Sequence, residues 1–164
     1  MAKAEFIYVT YVATTAEKLW QALTSGEFTR RYWYDRRIEA EWKVGAPVRF
    51  YDGGSDVVTD SGEVLEVDPP HRLVYTFRPE VSDELSAMGF SRVSFTIEEH
   101  EGMVKLTLLH DELPDEETAA GFREGWSPIL SSLKTFLETG KPLPQLKHLE
   151  EQGRPQDNDT AAGA

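Results

Sequence analysis

Four histidines, His71, His100, His110 and His148, are the side chains of this sequence best suited to moving protons near neutral pH. They show no HExxH pair and no other metal-ligand spacing, so no metal centre is expected. His110 opens the triplet "HDE" at the end of a predicted strand. By strand alternation it shares a face with Val104, Leu106 and Leu108. Two readings of it stand: a buried histidine hydrogen-bonded to the structure, which is the commoner outcome, and a general acid or base facing the interior. His100 falls in a turn and His148 in the tail. Carboxylates do not converge. Glu63 and Glu66, three apart on a strand, are expected on opposite faces, and Glu98, Glu99 and Glu101 crowd a hairpin end. "DGGSD" at Asp52 to Asp56 lacks the spacing of a calcium loop. Without two placed carboxylates a hydrolase mechanism has no support. There is no GxGxxG and no GxxxxGK[ST], so no nucleotide or other cofactor is expected. No cysteine is present to serve as nucleophile, thiolate ligand or disulfide.

The elements that must position these groups are legible from periodicity. "AEFIYVTYVATT" is a strand with two apolar faces, expected to be covered on more than one side and permitting a homodimer. "TAEKLWQALTSG" reads as a helix opened by a capping box of Thr14 and Glu17 and stopped at Ser25-Gly26. A second short helix over "EFTRRYWY" follows, with Ser25 as its cap. From residue 37 the period becomes two, through "RIEAEW", "PVRFYDGG", "VTDSGEVLEVDPP", "HRLVYTFRP", "SRVSFTIEEH" and "MVKLTLLHDEL". These are six or seven antiparallel strands in meander order. "PEVSDELSAMGF" interrupts them as a loop of the kind that borders pockets.

After Leu113 the chain is helical. Phe122, Trp126, Ile129, Leu130, Leu133, Phe136 and Leu137 share one side of a helix that acidic residues Asp115 to Glu117 open and Gly140 closes. Gly121, Gly125 and Ser132 flank this apolar side, and Pro128 removes the hydrogen bond to the Glu124 carbonyl. The expected result is a helix bent near residues 124–128, beside a cavity or closely packed on a curved sheet. Residues 1–140 are read as one domain, and 141–164 as a polar tail, partly disordered, with one helical turn over "QLKHLEE".

The totals narrow the partners. A chain of 164 residues holds one domain with a real core, and 40% hydrophobic residues is ordinary globular composition. A net charge of −12 argues against nucleic acid or an anionic membrane as the main partner. The local exception is "TRRYWYDRR", Thr29 to Arg37, read chiefly as arginine stems covering rings. No apolar run reaches the length of a membrane span, and "FIYVTYVA" is a strand rather than a signal peptide. A cytoplasmic location is the expectation.

"YVTYVATTAEKLWQALTSGEFTRRYW", "GEVLEVDPPHRLVYTF" and "GWSPILSSLKTFLETG" together resemble the activator of heat-shock protein 90 ATPase homologue family. That family lies within the START-like, birch-pollen-allergen-like SRPBCC superfamily. The resemblance covers roughly residues 5 to 140. It implies an α+β helix-grip fold, with a curved antiparallel sheet wrapped around the long C-terminal helix. It also implies a largely apolar cavity between sheet and helix, used in the superfamily for hydrophobic molecules and in some members for catalysis. The eukaryotic namesakes stimulate a chaperone ATPase and carry an additional amino-terminal domain for which this chain leaves no room. The ligand-binding set expected on this basis is Trp33, Trp42, Tyr75, Phe77, Phe95, His110, Trp126, Leu130 and Leu133. Plain core packing is the competing account of the same rings. Three functions follow in order of preference. They are binding of a hydrophobic small molecule without established catalysis, a cyclase or dehydratase using His110 or Tyr75, and a co-chaperone module.

Overall fold

The computed structural model describes residues 3–144; the tail turn expected over "QLKHLEE" and His148 lie outside them. Seven strands form one antiparallel sheet in the order β1-β7-β6-β5-β4-β3-β2. They are β1 (Ala4–Val12), β2 (Arg36–Ala40), β3 (Pro47–Asp52), β4 (Val58–Asp68), β5 (Arg72–Pro79), β6 (Ser91–His100) and β7 (Met103–Leu113). Helices α1 (Ala16–Thr24) and α2 (Gly26–Tyr32) follow β1, α3 (Asp83–Ser86) sits between β5 and β6, and α4 (Glu116–Thr139) closes the chain. This is the expected α+β helix-grip architecture.

Alternation places Leu73, Tyr75 and Phe77 of β5 in the interior with Val93, Phe95 and Ile97 of β6 and Val104, Leu106, Leu108 and His110 of β7. α4 lays Ala119, Trp126, Ile129, Leu130 and Leu133 into the same core. A buried leucine, isoleucine or aromatic side chain contributes roughly 1.5–3 kcal/mol, so these inner rows are what hold helix to sheet. α4 runs through Pro128 without a break. Asp115 caps its start by accepting from Thr118 N, and Gly140 ends it in the left-handed region at φ 88°.

Four local expectations are corrected. The N-cap of α1 is Thr15, whose Oγ1 accepts from Lys18 N at 3.1 Å. Thr14 instead closes a turn on the Val12 carbonyl, which moves the cap one residue on. Glu63 and Glu66 are both exposed and lie on the same side of β4. The register shifts between Val64, opposite Tyr75, and Glu66, opposite Val74. That bulge inserts one residue and returns Glu66 to the face of Glu63. The segment after Pro79 contains the single turn α3, capped by Ser82. Finally, β1 is an edge strand covered on one face only, with Ile7, Val9 and Tyr11 exposed on the other.

Two glycines are required by close approach. A Cβ on Gly26 would lie 2.7 Å from the Ile38 carbonyl oxygen, where α2 meets β2, and one on Gly62 would lie 1.7 Å from the Thr76 oxygen. Gly121 and Gly125 are different: a Cβ on either would meet nothing within 4 Å. Gly121 is exposed and Gly125 half-buried, so neither is there to permit tight packing, and the space beside Gly121 is solvent.

Candidate functional site

The interior between sheet and α4 is built from rings. Trp33, at the end of α2, lies 4.8 Å from Phe50 of β3 and 4.9 Å from Trp126 of α4, centroid to centroid. Phe50 continues to Tyr75 and Phe77, Tyr75 to Phe95, and Phe95 back to Trp126. Edge-to-face and tilted pairs of this kind each add about 0.5–1.5 kcal/mol beyond burial. Seven of the nine residues expected at the site are buried in this one cluster, and His110 is buried against its rings. Trp42 is its margin. It is half-buried on the β2–β3 connection at φ 53°, donates from Nε1 to the Thr24 carbonyl at 3.0 Å, and lies 6.4 Å from the Tyr75 ring.

His110 is fully buried, and its hydrogen bonds form a directional chain. The Trp126 indole N–H donates to Nδ1 at 2.9 Å, which requires the neutral ring to carry its proton on Nε2. Nε2 then donates to Ser91 Oγ at 2.7 Å, and the Ser91 hydroxyl donates to the Phe77 carbonyl at 3.1 Å. Burial holds the His110 pKa down to about 4, against a smaller opposing effect of Asp111. A proton added at Nδ1 would face the indole N–H, donor against donor. Both nitrogens are therefore committed. Of the two readings of His110, the buried histidine hydrogen-bonded to the structure is the one the geometry matches.

Tyr75 is the opposite case. Its hydroxyl is buried and has no hydrogen-bond partner among the described residues. Its pKa is raised well above the ordinary phenol value, first by burial and then by Tyr32 and Asp60. Tyr32, equally buried, does have a partner: it donates to the Ala22 carbonyl at 2.7 Å.

Two charged residues of the interior were not among the site residues expected from the sequence, Arg36 having been read only as part of "TRRYWYDRR". Asp60 pairs opposite Phe50 across β3–β4 and so shares the inner face. It accepts from Thr59 Oγ1 at 2.8 Å, and Arg36 Nε lies 3.3 Å from the same carboxylate oxygen. Arg36 also stands over the Tyr34 ring, whose hydroxyl reaches the Gly125 carbonyl of α4 at 3.4 Å. An available signal was alternation: Arg36 precedes buried Ile38 by two, and Asp60 precedes buried Val64 by four. The inner face thus carries an ion pair at its β2–β4 end, close enough for Asp60 to act on Tyr75.

The other arginines of "TRRYWYDRR" behave as the sequence suggested. Arg30 pairs with Asp35 at 2.8 Å, Arg31 covers the Phe136 ring, and Arg37 pairs with Glu39 and covers Tyr51. A surface groove of about 790 Å³ lies outside the ring cluster along β2, β3 and their connection, where Ile38, Ala40, Ala46 and Tyr51 contribute. Among the described residues no group of three or more His, Asp or Glu side chains could hold a metal ion, and no helix is long and apolar enough to cross a membrane.

The fold is shared with solved structures. CalU16 from Micromonospora echinospora superposes with a TM-score of 0.68 at 21% identity, covering 92% of this chain and 83% of that one. The Aha1 dimer from Colwellia psychrerythraea gives a TM-score of 0.68 at 21% identity, covering 84% and 98%. An HSP90 activator from Plasmodium falciparum gives 0.67 at 21% identity, covering 81% and 95%. No curated protein sequence matches the chain. The model of one family, described as Activator of Hsp90 ATPase homolog 1-like protein, matches residues 13–138, and with the helix-grip fold in place this chain belongs to that family.

Proposed function

We propose that this protein binds a largely apolar small molecule carrying one hydroxyl or carbonyl group. Its seat is the ring cluster between the inner sheet face and the N-terminal half of α4, and its polar group meets the Tyr75 hydroxyl. One observation carries the reading: that hydroxyl is fully buried and has no hydrogen-bond partner among the described residues. An unsatisfied buried hydroxyl costs about 1–3 kcal/mol, a cost that a ligand's polar group would remove on binding. The commitment of both His110 nitrogens favours binding over acid–base chemistry at that residue.

Native mass spectrometry of freshly purified protein tests this, together with a thermal-shift panel of hydroxylated and carbonyl-bearing polycyclic compounds. A retained small molecule, or stabilisation by members of the panel that is lost in Tyr75→Phe, is the expected result. A mass equal to the bare chain with no shift across the panel would end the proposal. A second reading, partnership with a chaperone ATPase, draws on the family description and on the Plasmodium falciparum relative. It predicts stimulation of that ATPase by the purified chain irrespective of Tyr75.

A further inference from the structure

The count of protons around Tyr75 narrows the chemistry of the bound molecule. Its hydroxyl is the one buried side-chain nitrogen or oxygen that has no hydrogen-bond partner among the described residues. A phenol has one proton to donate and lone pairs to accept with. Its ring contacts are Trp42, Phe50 and Phe95, at 6.4, 6.3 and 6.3 Å centroid to centroid, and Val64 and Val93 stand opposite it on β4 and β6. Of these five side chains only Trp42 carries a polar atom, and its N–H is spent on the Thr24 carbonyl. The strand carbonyls point along the sheet toward neighbouring strands, not off its inner face.

The other buried polar side chains of the interior are engaged. Tyr32 donates to the Ala22 carbonyl, both His110 nitrogens are committed, and Asp60 accepts from Thr59 and pairs with Arg36. A ligand alcohol meeting Tyr75 would bring a second O–H. The pair would then hold two protons and one hydrogen bond between them, and one proton would stay buried without an acceptor. A ligand carbonyl brings lone pairs and no proton. The Tyr75 proton then has its acceptor, and a buried carbonyl with one lone pair unused is readily tolerated. A carboxylate would make the same bond but would carry an uncompensated charge into apolar rings, on the face that already holds the Asp60 carboxylate. Burial first, then Tyr32 and Asp60, hold the Tyr75 pKa well above the ordinary phenol value, so the proton to be donated is always present near neutral pH.

Resting on the binding described above, we propose that the molecule held at Tyr75 is an uncharged ketone or quinone, and that Tyr75 selects its carbonyl over a hydroxyl in the same place. The tilted rings of Trp42, Phe50 and Phe95 around the hydroxyl suit a flat, conjugated skeleton. Tyr75 is thus a specificity-determining donor, and its lack of a partner is what separates two ligands of nearly equal shape.

Matched sets of hydrocarbon, alcohol and ketone on the fluorene, xanthene and tetralin skeletons, titrated by calorimetry into the full chain and into Tyr75→Phe, test this. The ketone of a set should bind the wild type about tenfold or more tighter than its alcohol. Tyr75→Phe should erase that preference, with the ketone losing most and the hydrocarbon least. The carbonyl stretch of the bound ketone, read by infrared difference spectroscopy, should move to lower frequency in the wild type and not in the variant. A merely structural role for Tyr75 would not give that signature. An alcohol that binds as tightly as its ketone, as it would if Asp60 took the second proton, overturns the carbonyl selection and leaves the binding reading standing. So does a ketone preference that survives Tyr75→Phe. If no member of any set binds either protein, the binding reading falls and the carbonyl selection falls with it.

Discussion

At one end of the interior, Trp126, His110, Ser91 and the Phe77 carbonyl pass hydrogen bonds along a closed chain. At the other, the equally buried Tyr75 hydroxyl has no partner among the described residues. Both ends sit on the same inner face, and both combine aromatic rings with a polar group. The difference is satisfaction. A fully partnered buried network rigidifies its surroundings and resists change, whereas an unpartnered group stores a cost that something else can relieve. The histidine end is therefore structure, and the tyrosine end is where binding is proposed.

The largest test of that contrast is Trp126→Ala. It opens a cavity in the core and leaves His110 Nδ1 without a donor, and the expected loss is about 3–5 kcal/mol of stability in urea denaturation. A loss below about 1 kcal/mol would break the contrast, because it would mean the chain of hydrogen bonds holds nothing. Next comes pH. The native His110 pKa of about 4 lies below the unfolded value of about 6.5. The unfolded state thus binds more protons between those values. Stability tied to the neutral ring is complete above about pH 6.5 and is lost as pH falls toward 4, on the order of 3 kcal/mol. Comparing unfolding midpoints at pH 7 and 4.5 for wild type and His110→Gln isolates this slope, which the variant should lack. The smallest effect has the opposite sign. Tyr75→Phe removes only a hydroxyl that has no partner among the described residues, so the ligand-free protein should gain up to about 1 kcal/mol. A destabilised variant would show that the hydroxyl is already satisfied.

Sequence periodicity revealed the architecture because each inner row repeats without interruption. Leu73, Tyr75 and Phe77, then Val93, Phe95 and Ile97, then Val104 to His110, all face inward as alternation requires. Where a single residue is inserted the rule fails. The bulge after Val64 reversed the expected relation of Glu63 and Glu66. The α1 cap moved from Thr14 to Thr15 for a similar local reason, since adjacent threonines offer the same chemistry and only the backbone turn chooses between them. The site was legible in its rings, which hydrophobic spacing marks. It was illegible in its polar connections. Ser91 reaches His110 across a strand pair, and Arg36 reaches Asp60 across β3, contacts that depend on register rather than on spacing along the chain. Tyr75 was singled out, but that its hydroxyl lacks a partner could emerge only from the positions of everything around it.

The fastenings of α4 are unevenly distributed. Its last turns are tied down by Lys134 on the Tyr11 carbonyl, Glu138 on the Ala13 amide and buried Ser132 on Leu143. Its first turns are held by packing instead, with Ala119 buried and Phe122 against Phe77 and His110, and at Pro128 the backbone ladder misses a rung. Mechanically this is a beam fixed at both ends, by the short Pro114-Asp115 link to β7 and by the clamp, with a notch near the middle. Load placed on such a beam is taken up as flexing at the notch, while the two fixed ends stay still. A molecule bound as proposed would thus be accommodated by flexing near Pro128 rather than by prising the helix from the sheet that grips it.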